Sequence, residues 1–269
     1  MVFFPNCKIN LGLQIIRKRV DGYHDLESVF YPVMLRDVIE VVDAGAFEFN
    51  PSGSPVPDDH ENNSCVKAYR LLQRKFPHLP AVKMYLYKNI PTGAGLGGGS
   101  SDGTFMLSLL NKKFDLGLTE DELRDLSLQI GSDCPFFISN KPSFVSGRGE
   151  VIQNFPLDLS NYSFVIVHPG IHINTAWAFS KIRPTIHVKS IRQIVTYPVE
   201  NWKDELINDF EIPVLLEHPL LERIKLTLYK AGALYASMSG SGSSFYGIFK
   251  KNHIPSISFD ANFRVDIIN

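Results

Sequence analysis

Between residues 91 and 104 the chain reads Pro91-Thr-Gly-Ala-Gly-Leu-Gly-Gly-Gly-Ser-Ser-Asp-Gly-Thr104, and five of the seven residues from Gly93 to Gly99 are glycine. Glycine admits positive φ and lets backbone approach a ligand closely. A glycine-rich turn that feeds a helix aims unpaired N–H groups and the positive helix end at one point, a geometry suited to phosphate. The run before the turn, VKMYLYKNI, has strand character, and FMLSLL after it has helix character. A flexible linker has no need of that strand–loop–helix setting.

Gly93, Gly95 and Gly98 satisfy G-x-G-x-x-G. A dinucleotide fold also expects an acidic residue about 20 positions on, at the end of a second strand. Here that distance falls in KKFDLGLTEDEL, a turn and a helix start, and Asp115 ends no visible strand. A Walker loop needs Gly-Lys-Ser/Thr, whereas Ser100, Ser101 and Asp102 follow Gly99. The Val-Ala-Ile-Lys and His-Arg-Asp partners of a protein-kinase loop do not occur.

Phosphoryl transfer needs positioning and charge stabilisation, with a group near the acceptor hydroxyl. Asp133, in Gly-Ser-Asp-Cys-Pro between two apolar runs, has the chemistry for that group. The same residue type is also a good helix cap, and the residues alone leave both roles open. Lys8 and Asn10 share the polar face of an alternating strand, roughly 7 Å apart. A lysine beside an aspartate keeps the carboxylate ionised and stabilises charge on a moving phosphoryl group; a lone strand lysine is ordinarily solvated. Tyr23 and His24 suit an aromatic strand end or, with a ring face and an imidazole edge, recognition of a base.

The elements that must hold these groups follow from periodicity. CKINLGLQII alternates and predicts a half-buried strand, with Lys8, Asn10, Gly12 and Gln14 on its open face. Asp21-Gly22 signals a turn, and a second β-rich run covers residues 28–42. Residues 51–60, PSGSPVPDDH, have loop composition. A helix is expected over NSCVKAYRLLQRKF, ended by Pro77, and another from about Ser101. Thr119 and Glu122 form a capping box that opens a helix closing near Gly131. Strands are expected at 144–146 and 162–167, with NFPLDLSN as the domain boundary. The remainder predicts two or three helices, including HPLLERIKLTLYKAGA, then Ser237-Met-Ser-Gly-Ser-Gly-Ser-Ser244 and a strand, FYGIF.

The chain has 269 residues, 44% of them hydrophobic and 20% charged, with a formal net charge of -1. That fits one large or two medium globular domains. The near-zero charge gives no basic face for nucleic acid or an anionic membrane. Cys7, Cys65 and Cys134 are odd in number and form no C-x-x-C, against a zinc or disulfide framework. No apolar run approaches the roughly 18 residues of a membrane span. A cytoplasmic protein is expected, a monomer or weak homodimer, with no nucleic-acid or membrane partner.

Pro91-x-x-x-Gly-Leu-Gly-Gly-Gly-Ser-Ser resembles the P-x-x-x-G-L-G-S/G-S-S/G phosphate loop of the GHMP kinases, the family of galactokinase, homoserine kinase and mevalonate kinase. Residues 238–245, MSGSGSSF, are similar to that family's second glycine-rich motif. CKINLGLQIIRKRVDGYHDL, GSDCPFF and Asn208-Asp-Phe-Glu211 resemble elements of the branch whose alcohol substrate carries a cytidine diphosphate. Together these matches span nearly the whole chain.

The resemblance implies an α+β, two-domain GHMP fold. Residues 1–155 would form an ATP-binding, ribosomal-S5-domain-2-like N-terminal domain. Residues 156–269 would form a ferredoxin-like, substrate-side C-terminal domain, with the catalytic cleft between the two. It implies catalytic roles for Lys8 and Asp133. Pro91, Thr92, Gly93, Ala94, Gly95, Leu96, Gly97, Gly98, Gly99, Ser100 and Ser101 would hold ATP. Asn63 would line its adenine pocket, although a helix N-cap explains Asn63 equally well. Asn10, Tyr23, His24, Thr175 and Phe179 would hold the substrate. Cytosine would stack between Tyr23 and Phe179, with Trp177 the other choice for the second ring. Mg²⁺ would travel with ATP, with Ser101 the best protein-borne contact and no dedicated metal site. Two alternatives remain: a sister kinase for homoserine or mevalonate, and a nucleotide-binding module without catalysis.

Overall fold

A computed structural model describes residues 1–57, 59–185, 187–251, 253 and 257–269. In chain order the strands are β1 (Val2–Phe3), β2 (Asn6–Lys18), β3 (His24–Arg36), β4 (Val38–Asp43), β5 (Glu48–Gly53), β6 (Val82–Lys88), β7 (Ser143–Ser146), β8 (Val151–Asn154), β9 (Tyr162–His168), β10 (Tyr235–Met238), β11 (Phe245–Lys250) and β12 (Arg264–Ile268). The α-helices are α1 (Ser64–Lys75), α2 (Gly98–Lys113), α3 (Glu120–Leu128), α4 (Phe136–Ser139), α5 (Thr175–Lys181), α6 (Ile191–Ile194), α7 (Glu211–Glu217) and α8 (Leu220–Lys230). The architecture is α+β, and the chain divides into two compact units, each discontinuous in sequence.

The first unit comprises residues 1–7, 34–92 and 97–141. Its sheet has the order β1-β4-β6-β5, with β5 parallel to β6 and the other pairs antiparallel. Val82, Met84 and Leu86 of β6 alternate with more exposed residues and meet Tyr69 and Leu72 of α1 and Leu107 and Leu110 of α2 in one apolar cluster. Asn63 caps α1 by accepting from the Cys65 N–H at 2.9 Å. The predicted Thr119–Glu122 capping box opens α3. Two expectations change here. The β-rich run of 28–42 begins at His24 and is cut at Asp37, whose buried carboxylate turns inward between β3 and β4. Residues 51–53, expected in a loop, continue β5. Its position at the sheet edge tolerates Pro51, which lacks a ladder N–H.

The second unit comprises residues 8–33, 93–96 and 142–269. It holds the sheet β2-β3-β7-β8 and the antiparallel sheet β10-β11-β9-β12. Its core joins Leu13 and Ile15 of β2, Val165 and Val167 of β9, Phe245 and Phe249 of β11, and Ile224 and Leu228 of α8. The predicted turn after β2 forms, with Arg19 N–H donating to the Tyr23 carbonyl at 2.8 Å. Where two or three helices are expected after residue 156, the described residues hold four. The short α5 and α6 begin at side-chain caps, Asn174 and Ser190, rather than at any hydrophobic period.

The open face predicted for β2 is not open. All ten residues from Asn6 to Ile15 are buried. Lys8, Asn10 and Gln14 are turned into protein, so each needs partners in place of water.

Asn208 fastens the end of β10. Its Nδ2 donates to the Met238 and Gly240 carbonyls, both at 2.8 Å, and its Oδ1 accepts from the Phe210 N–H at 3.0 Å. Asn208→Ala removes three hydrogen bonds to buried backbone groups. It should lower unfolding stability by about 3 kcal/mol, read from the urea midpoint; a loss below about 1 kcal/mol would show that these bonds are dispensable.

Candidate active site

The strand β2 supplies the first side chains. Lys8 is 3% exposed. Its Nζ donates to Asn10 Oδ1 at 2.6 Å and lies 4.3 Å from the Phe30 ring centroid. Asn10 Nδ2 donates to Ser28 Oγ at 2.9 Å, and Ser28 Oγ donates to the Gly12 carbonyl at 2.7 Å. The spacing of two along a strand therefore becomes a hydrogen-bonded row with a cation at its head.

The middle of the glycine loop rests on that row. Lys8 N–H donates to the Leu96 carbonyl at 2.9 Å. The late serine–glycine stretch closes on the same residues. Ser239 Oγ donates to the Gly95 carbonyl at 2.8 Å and accepts from the Asn10 N–H at 3.2 Å, while Ser244 N–H donates to the Ala94 carbonyl at 3.2 Å. Tyr246 OH donates to the Asn10 carbonyl at 2.7 Å. Glu211 supports the stretch from behind, accepting from Ser237 Oγ at 2.7 Å and Met238 N–H at 2.8 Å. The structure thus joins two glycine-rich segments that lie far apart in sequence. Gly95 has φ +79°, and a Cβ there would overlap the Ser239 carbonyl oxygen.

At the other end of the loop, Gly97 takes the left-handed conformation as N-cap of α2 and gives this 16-residue helix no side-chain cap. The helix starts at Gly98, three residues before the expected position, because glycine at N1 to N2 leaves room for backbone rather than breaking the turn. Ser101 Oγ in this first stretch is buried and has no hydrogen-bond partner among the described residues. In the first unit a cavity of about 370 Å³ opens here, lined among others by Asn63, Ser64, Lys88, Thr92, Gly99 and Asp102. That volume is in the range of small-molecule sites. Asn63 is both N-cap and cavity wall, so its two readings are compatible.

Asp133 is half-buried in the turn before α4. The α4 cap position is Pro135, which offers no side-chain cap. Beside it the Cys134 thiol is pushed up to about 11 by burial, and it stays protonated and unreactive at neutral pH.

In the second unit, His24 and Phe179 stack at 5.2 Å with 22° between their planes, and Phe179 meets Phe210 edge-on at 4.8 Å. The ring on Phe179 in this state is therefore His24. Tyr23 is 56% exposed, with the Arg148 guanidinium 4.8 Å from its ring. Burial, with help from Lys18, pulls the His24 pKa below the usual histidine value, so the imidazole is neutral at pH 7. Thr175 is exposed and shares a 3.0 Å hydrogen bond with Ser241. Trp177 lies against His218 instead of Phe179. Sequence reasoning missed Asp37, Lys88 and Arg148, whose types carry no local pattern, and it placed Asp102 and Ser239 within glycine-rich stretches without giving either a role.

The GHMP kinases N-terminal domain family matches residues 63–141, and the GHMP kinases C-terminal family matches residues 199–261. The 4-diphosphocytidyl-2-C-methyl-D-erythritol kinase of Bacteroides fragilis is 47% identical over 98% of this chain and 97% of its own length. The kinase of the same name from Bacteroides thetaiotaomicron is 48% identical over 93% and 92%. The chain belongs to the GHMP kinases. A crystal structure of 4-(cytidine 5'-diphospho)-2C-methyl-D-erythritol kinase has a TM-score of 0.80 and 28% identity, over 92% of this chain and 90% of that one. Mevalonate kinase of Methanococcus jannaschii, at TM-score 0.72 and 14% identity over 94% and 92%, shares the fold. As a GHMP kinase the protein is an ATP-dependent small-molecule phosphotransferase, and both glycine-rich motifs that mark the family lie in the arrangement above. Among the described residues no helix is long and apolar enough to cross a membrane.

Gly95→Ala places a side chain at positive φ and against the Ser239 carbonyl. ATP affinity should fall at least about 10-fold, since the left-handed conformation alone costs roughly 1–2 kcal/mol; calorimetry giving an unchanged Kd would mean the loop does not carry the nucleotide in this form.

Proposed function

We propose that this GHMP kinase transfers the γ-phosphoryl group of ATP to the 2-hydroxyl of 4-diphosphocytidyl-2-C-methyl-D-erythritol, in the non-mevalonate route to isoprenoid precursors. Relatives at 47–48% identity over more than nine-tenths of the chain carry that kinase's name. The observation that carries the reading at the residue level is the junction of Lys8, Asn10, the 94–96 backbone and Ser239. It pairs a buried cation with a pinned glycine loop.

In this reading the backbone of residues 91–101 and the first turn of α2 hold the phosphates, as a helix N-terminus does. Asn63 and the adjoining cavity take the adenosine. The Lys8 ammonium, held by Asn10, stabilises charge on the phosphoryl group in transit. Asp133 orients the acceptor hydroxyl and accepts its proton as the new O–P bond forms and ADP leaves. Bound Mg²⁺ would neutralise charge on the β and γ oxygens. Among the described residues no group of three or more His, Cys, Asp or Glu is set to hold a metal. The partnerless Ser101 Oγ is the protein oxygen we assign to that ion.

Tyr23, His24, Phe179 and Thr175 would hold the cytidyl end. A neutral His24 offers one donor and one acceptor, as a cytosine edge requires. Cytosine between Tyr23 and Phe179 would require the His24–Phe179 stack to open. The proposed division of labour gives nucleotide binding to residues 1–155 and the C-terminal substrate-side domain to residues 156–269.

The test is ADP release with ATP, Mg²⁺ and four alcohols: the cytidyl substrate, homoserine, mevalonate and galactose. Turnover with the first alone is expected. Turnover with another alcohol instead would keep the family and replace the substrate. ATP binding with no turnover on any would support a non-catalytic module. Asp133→Asn should cut kcat by about 10²–10⁴-fold, the usual worth of a positioned proton acceptor, and leave the ATP Kd unchanged. A kcat within a few-fold of the parent would return Asp133 to a structural role.

A further inference from the structure

Directly beneath the start of α2 lies a charge cluster that the proposed chemistry does not use. Lys88, Asp37 and Asp102 are 4%, 0% and 3% exposed. Lys88 Nζ donates to Asp37 Oδ2 and, at 2.7 Å, to Asp102 Oδ2. Asp37 Oδ1 accepts from the Ile90 N–H at 2.7 Å and from the Asn89 N–H, the two residues that lead into Pro91 and the glycine loop. Asp102 Oδ1 has no hydrogen-bond partner among the described residues. A Cβ built on Gly98 would meet Ile90 at 2.8 Å and Lys88 Nζ at 3.3 Å, so the ammonium packs against the first residue of α2.

Two features set this cluster apart from an ordinary buried ion pair. It holds two carboxyl groups against one ammonium. It also lies under a helix N-terminus, where phosphate would bind. An uncancelled carboxylate there opposes the field that the helix end presents to an anion. Burial raises the Asp102 pKa well above the carboxylate range, with Lys88 opposing and Asp37 reinforcing the rise. Burial opposes it, but Asp102 and Asp37 together raise the Lys88 pKa, so the lysine stays charged. Cys65 of α1 also faces the cluster, its thiol held neutral by burial.

We propose that Lys88 is a positioning residue for the nucleotide: it ties the backbone entering the glycine loop, through Asp37, to the first turns of α2, through Asp102, and cancels buried negative charge beneath the phosphate site. This rests on the reading of that loop as the ATP site and is independent of which alcohol is phosphorylated.

The experiment compares Lys88→Met, Lys88→Arg and the double variant Lys88→Met/Asp102→Asn with the parent enzyme, by calorimetric binding of Mg-ATP and by steady-state kinetics. Lys88→Met should raise the Kd and KM for ATP roughly 10–100-fold, the scale of losing a supporting partner. The KM for the alcohol and the kcat at saturating ATP should stay within about twofold. The double variant should recover part of the lost ATP affinity, because one of the two buried carboxyl groups is gone and only Asp37 is left to balance, and Lys88→Arg should also recover part of it. A packing role predicts no such recovery. The proposal is overturned if Lys88→Met leaves ATP affinity unchanged, if both KM values rise together, or if removing the Asp102 charge restores nothing. Should Lys88→Met fail to fold by circular dichroism, Lys88→Arg and the double variant decide alone: ATP affinity within about tenfold of the parent in either supports the charge argument, and a larger loss in both overturns it. Failure of the substrate assignment would appear in the parent enzyme as ATP binding without turnover of the cytidyl alcohol, before any variant is made.

Discussion

A buried carbonyl has to find a partner other than water, and the middle of this kinase's glycine loop, where Ala94 and Leu96 are buried, meets that constraint with partners drawn from across the chain. The carbonyls of Ala94, Gly95 and Leu96 are taken by Ser244, Ser239 and Lys8 respectively. None of the three donors belongs to the loop. Glycine at position 95 is required because backbone of the second motif occupies the space of a side chain. Serine at 239 is required because its hydroxyl must arrive at a fixed point, whereas position 244 contributes only a backbone N–H to the loop.

The polar face of β2 illustrates how far a correct pattern reading can miss its environment. Alternation placed Lys8, Asn10 and Gln14 together, and that is where they lie. Alternation is a statement about two faces, and it carries no information on what covers the second one. Here the cover is protein, so Lys8 finds Asn10, Asn10 finds Ser28, and Gln14 Nε2 reaches the Lys189 carbonyl at 3.1 Å. Gln14 Oε1 remains without a partner among the described residues.

Legibility in the sequence followed the range of the interaction. The Thr119 capping box, the Asn63 cap and the turn before Tyr23 rest on contacts within a few residues, and each was readable from local spacing; the glycine loop was readable from its composition, while the distant donors that hold it were not. The GHMP fold was legible through short motifs that carry their own geometry. The Lys88 cluster was not, since its members are separated by 51 and 14 residues, and the glycine stretch that contains Asp102 says nothing of those distant partners. Edge strand β5 was hidden by Pro51, which normally marks a loop. The His24–Phe179 stack was hidden too: both residues were assigned to a substrate pocket, and nothing in either local sequence says that two such rings meet each other.

The division of the second unit among residues 8–33, 93–96 and 142–269 also has a consequence for synthesis. The backbone of residues 94–96 acquires its partners only when Ser239 and Ser244 exist, and the Asn10 carbonyl only when Tyr246 does. A ribosome has to deliver nearly the whole polypeptide before the loop can adopt its final shape. Such long-range closure slows folding relative to helical units of local contacts. It also means that a nascent chain carries the glycine segment without these partners through most of translation, and that they arrive together, with the C-terminal strands.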